Sequence, residues 1–129
     1  MLDKVDYWLE LCDDDIKAAK AMYESKQYLW MGFICHLIAE KALKAVIANL
    51  TEQVPPKTHD LPKLANLGNI NDMNDKFKTL LNKLTPMQIE ARYPEYKEKI
   101  TATLTKDYCS GLLRETGEFL CWIKQRLGK

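Results

Sequence analysis

Several common chemistries have no foothold in this chain. It contains no GxxxxGK[ST] and no GxGxxG, so the usual glycine-rich cradles for phosphates and dinucleotides are missing. It contains no GxSxG nucleophile elbow and no HExxH zinc helix. Ser25 and Ser110 have no triad signature around them. Histidine occurs only at His36 and His59, too few to build a common zinc site alone. His36 and Glu40, spaced i, i+4, would supply two ligands, with no third in view. No metal, no cofactor and no catalytic residue are therefore assigned.

Other scarcities bound the fold. Only five Gly and five Pro occur, and β-branched residues do not alternate in runs, which favours an all-α chain. No two of Cys12, Cys35, Cys109 and Cys121 form a CxxC pair. All four sit in helical patterns among apolar neighbours, so buried reduced thiols are expected. Arginine is found only at Arg92, Arg114 and Arg126, and the net charge is +1, so global charge gives little grip on a phosphate backbone. MLDKVDYWLELCDDD places acids where a signal peptide needs a basic flank, and charges interrupt the longest apolar stretch. A single cytoplasmic domain over 1–129 with no membrane span is expected.

What is present reads as an antiparallel four- to five-helix up-and-down bundle. Val5, Leu9, Cys12, Ile16, Ala19 and Tyr23 make one stripe of a first helix over Asp3–Ser25. Asp13, Asp14 and Asp15 interrupt it, either as a solvated face or with one carboxylate aimed at Lys41, Lys44 or an Arg. A short link leads to a second helix over about Tyr28–Asn49, then a loop at Thr51–Thr58. Asp60 as cap, Pro62 in the first turn and Gly68 at the end predict a short helix within His59–Gly68. A fourth helix is expected over about Asp72–Leu84. Thr85–Gln88, TPMQ, fits a capping box with Pro at the first helical position, so a separate turn should start there and end at Arg92-Tyr93-Pro94. Glu95–Ala102 reads as a polar connection, and the last helix as about Thr103–Leu127. Its apolar face is wider than one packing contact needs, which points to a subunit interface.

The second helix is the unusual one. It is apolar all round from Leu29 to Ile38, as a buried helix is, yet His36, Glu40 and Lys44 rise along one face at i, i+4, i+8 beside Lys41. Ionisable side chains are seldom buried unless paired. The row is either an interhelical salt-bridge network or a cleft wall offering cations to a phosphate-bearing ligand. Arg92 and Tyr93 would hold an anion or stack on a base, or Arg92 would pair with a carboxylate of the first helix. His59 either begins the short helix or faces a ligand.

Read in order, Tyr7-Trp8, HLIAEKALKAVI at His36–Ile47, THDLPKL at Thr58–Leu64, IEARYPEY at Ile89–Tyr96 and the final Glu115-Thr116 and Trp122-Ile123 are similar to the HEPN domains. The name stands for higher eukaryotes and prokaryotes nucleotide-binding. The likeness is strongest to single-domain prokaryotic members. It implies a helical bundle that commonly forms homodimers. It also implies, for many members, action beside a minimal nucleotidyltransferase in a toxin–antitoxin-like pair, with nucleotide or RNA as ligand. Many other members are metal-independent ribonucleases with an Arg followed four to six residues later by a His near the last helix. Here both histidines precede every arginine, so that motif is absent. The reading that follows is a noncatalytic nucleotide-, RNA- or partner-binding module. Its candidate ligand residues are His36, Glu40, Lys41, Lys44, His59, Arg92 and Tyr93. The alternative is a ribonuclease using other residues, with Lys106 and Tyr108 near the appropriate place.

Overall fold

The computed structural model describes residues 3–90, Tyr93 and 101–129. Among them are five helices: α1 (Lys4–Glu24), α2 (Tyr28–Thr51), α3 (Leu61–Leu67), α4 (Asp75–Glu90) and α5 (Lys106–Arg126). The all-α class is as the patterning predicts.

Local chemistry sets most of the boundaries. Asp3, Asp60 and Thr105 cap α1, α3 and α5, each side chain accepting a backbone N–H three residues on. Three helices end in the same way. Gln27 N–H bonds Met22 C=O at 2.8 Å and Lys26 N–H bonds Tyr23 C=O at 3.0 Å, a Schellman closure that puts Lys26 at φ 62. Asn69 (φ 54) and Gly128 (φ 71) do the same after α3 and α5. Gly68 thus closes α3 as expected, but Asn69, not Gly68, takes the left-handed position.

The expected break at Thr85 is absent. α4 runs on through Pro86 to Glu90. Thr85 does not cap a new helix; its hydroxyl donates back to the Leu81 carbonyl at 2.8 Å. Proline inside a helix removes one backbone bond and costs about 3 kcal/mol. Burial of Leu80, Leu81, Leu84 and Met87 along one face offsets that cost. Of the expected helix end at Arg92-Tyr93-Pro94, Arg92 and Pro94 lie outside the described residues, as does most of the connection Glu95–Ala102.

α2 is the axis of the fold. It packs against α1, α3, α4 and α5, whereas α1 and α4 each also meet α5. Met31, Cys35, Ile38, Ala39, Ala42 and Leu43 on α2 are wholly buried. Gly32 allows α4 to come close: a Cβ there would lie 2.8 Å from Met87 Sδ. Phe77 of α4 stacks with Phe119 and Trp122 of α5 at centroid distances of 5.4 and 5.3 Å. Cys12, Cys35 and Cys109 are buried and reduced, as expected, but Cys121 is exposed. Its place on α5 is one step outside the core stripe of Leu120 and Ile123. No helix among the described residues is long and apolar enough to cross a membrane.

Candidate functional site

The polar row on α2 lies inside the bundle. His36, Glu40 and Lys44 keep 1, 5 and 7% of their surface exposed. Glu40 is the hub. Its Oε2 accepts from Lys44 Nζ at 2.9 Å, and its Oε1 lies 2.8 Å from His59 Nδ1. His36 Nδ1 is 3.7 Å from the same Oε1. Lys44 Nζ also sits 5.7 Å from the centre of the Trp8 ring on α1, a cation–π contact that the sequence pattern did not reveal.

Why does α2 tolerate this? A buried charge must be paired and hydrogen-bonded or it costs several kcal/mol. One helical turn separates Glu40 from Lys44, so the backbone brings the pair together. The loop before α3 then delivers His59 from outside. Burial raises the pKa of Glu40, but the hydrogen bonds from His59 and Lys44, and their charges, outweigh it and hold Glu40 below its ordinary 4.5. Glu40 is therefore an anion near neutral pH. An ionised carboxylate only accepts, so His59 Nδ1 carries the proton, and Nε2 is the ring nitrogen left for other contacts.

His59 is the open end of the cluster, with 46% of its side chain exposed. It also lines a cavity of about 620 Å³ between the start of α3 and the second half of α4. The charged pair thus reaches the surface through one imidazole. Lys41 belongs elsewhere: one residue off the row, it pairs across α1 with Asp15 at 2.7 Å. Asp13 pairs with Lys124 of α5 at 2.6 Å. The acidic triplet therefore does aim a carboxylate at Lys41. Tyr93 is exposed, and Arg92 lies outside the described residues. Tyr108 is partly buried, with Lys83 Nζ 5.7 Å over its ring, and burial raises its pKa, which makes it a poor base. Among the described residues no three His, Cys, Asp or Glu side chains gather as a metal-ligand set.

Elsewhere, α1 and α5 bound a groove of about 810 Å³, with Ile16, Leu113, Leu120 and Trp122 along it. Asp13, Lys20, Arg114, Glu118 and Lys124 also line it, a mixture of both signs.

Comparison with known proteins agrees with this architecture. Residues 5–127 match the model of the HEPN domain. The crystal structure of TT1696 from Thermus thermophilus superposes with a TM-score of 0.79 at 20% identity, covering 96% of this chain and 98% of that one. At that identity the likeness concerns the fold. Comparison with curated proteins gave no sequence match.

Proposed function

The chain belongs to the HEPN domain family, and on that premise we propose that it is a noncatalytic module that binds a nucleotide or an RNA end in the cytoplasm. It does so with a minimal nucleotidyltransferase as partner, in a toxin–antitoxin-like pair. The observation that carries the reading is the order of two residue types. His36 and His59 both precede Arg92, Arg114 and Arg126, so the Arg-to-His ribonuclease spacing has no counterpart. What remains for a ligand is the surface end of the α2 cluster. His59 is held by Glu40 with Nε2 free of that bond and borders a cavity, while Lys44 supplies positive charge behind it. Isothermal calorimetry with a panel of nucleotides and short RNAs tests the binding arm. Co-purification with the product of the adjacent gene tests the partner arm. Heat of binding that disappears in His59→Ala supports the reading, and silence in both arms removes it.

The homodimer implied by the family would use the α1–α5 groove. It carries charges of both signs beside apolar residues, as a surface that meets its own copy about a two-fold axis requires. Gly117 on α5 has open space around it, so Gly117→Arg should shift a dimer to monomer in light scattering.

One observation favours a second reading. A carboxylate 2.8 Å from a half-exposed imidazole is the arrangement that orients a general base. A metal-independent ribonuclease built on His59 would cleave RNA in EDTA to a 2′,3′-cyclic phosphate, and His59→Ala would stop it. RNA left intact at high protein concentration rejects this reading.

A further inference from the structure

The cavity beside His59 has a chemical bias. Asp60, Pro62, Asn82, Pro86 and Gln88 line it with His59 and Thr85. Among the described residues no Lys or Arg lines it, so they offer a phosphate no cation. The one charged group among the described lining residues is the Asp60 carboxylate, an acceptor. Asp60 Oδ1 takes the Lys63 N–H at 3.1 Å, and its second carboxylate oxygen has no partner among the described residues. The side-chain amides of Asn82 and Gln88 likewise have none among them. Pro86 has no N–H, so the Asn82 carbonyl lacks the donor that an uninterrupted helix would give it. The Thr85 hydroxyl is spent on Leu81. Pro62, Pro86 and the His59 imidazole complete the described lining.

A ligand that fits is planar, uncharged and rich in adjacent N–H donors. Among the nucleobases only guanine presents two neighbouring donors, N1–H and the 2-amine, to one carboxylate. Adenine and cytosine set a ring acceptor beside their amine. Uracil has a single donor flanked by two carbonyls. We propose that this cavity is a guanine subsite. Asp60 and the Asn82 carbonyl take the N–H edge, the Asn82 and Gln88 amides reach the acceptors of the ring, and His59 stacks on its face. The phosphate stays outside. This rests on the nucleotide- or RNA-binding reading above and names its base. A site built on hydrogen bonds discriminates well, because the wrong base leaves its groups unpaired.

Calorimetry with GMP, IMP, AMP, CMP and UMP on the full chain tests it. GMP should bind at least about tenfold tighter than AMP, CMP and UMP, with IMP, which lacks the 2-amine, between them. Asp60→Asn keeps a good helix cap but cannot accept two donors, so it should fold normally and flatten the preference. Asn82→Ala, on the exposed side of α4, should do the same. If all five bind alike, the guanine assignment falls while the binding reading stands. A guanine preference that survives Asp60→Asn and Asn82→Ala places the base elsewhere and overturns the site. If none binds, the guanine subsite falls, and the binding reading is decided by the short RNAs and the partner arm.

Discussion

Replacing Glu40 by Gln removes the charge at the hub and changes little else in shape. The structure sets the size of the effect. Lys44 keeps only 9% of its side chain exposed and has Glu40 as its one ion-pair partner among the described residues. Stranding one member of a buried pair costs about 3–5 kcal/mol. The Trp8 face under Nζ still stabilises the ammonium and brings the figure to the lower end, about 3 kcal/mol. For a domain of this size that lowers Tm by roughly 10 °C, read by circular dichroism at pH 7. A second variant isolates the cause. Glu40→Leu with Lys44→Met removes both charges, and should lie within about 1 kcal/mol of the parent. The pH dependence gives an independent check. Folding lowers the Glu40 pKa from 4.5, so its stabilisation is complete above that value and disappears as pH falls through the folded pKa. Glu40→Gln should therefore lose less stability than the parent on acidification below about 4.5. If Glu40→Gln unfolds within about 1 kcal/mol of the parent at pH 7, the pair is not a buried hub and the reasoning is wrong.

Other expected outcomes follow from single contacts. Pro86→Ala restores an N–H to the Asn82 carbonyl and should raise stability by about 1–3 kcal/mol in urea unfolding. Gly32→Ala pushes a methyl against Met87 and should cost about 1–3 kcal/mol, less in a Met87→Ala background. Burial drives the thiols of Cys12 and Cys35 up to about 12 and that of Cys109 up to about 11. One thiol per chain, Cys121, should therefore react with an aromatic disulfide before unfolding, and all four after it.

How legible was this in the sequence? Caps are local chemistry, so Asp3, Asp60 and the end of α1 at Ser25 are readable from a few neighbours. The burial of α2 is equally readable, because no other stretch is apolar on every face. Thr85-Pro86 misleads because the same two residues serve a helix start or a helix interior. Here the packing of Leu84 and Met87 decides, and that is a tertiary fact. Lys41 was separable in principle, since one residue off the row is about 100° around the helix. The Glu40–His59 contact was not. It spans 19 residues and a loop with two prolines, and nothing local specifies which loop residue returns to α2. The lining of the cavity by Asn82 and Gln88 was hidden for the same reason as Pro86: it exists only if α4 continues.

The central claim is that this HEPN chain binds its ligand at the His59 end of the α2 cluster without cutting it. The most direct test incubates end-labelled RNA with the protein in EDTA and reads retention and integrity from the same sample. Intact RNA retained by the parent and released by His59→Ala is the outcome predicted. RNA shortened to cyclic-phosphate ends, or retained equally by both proteins, would contradict it.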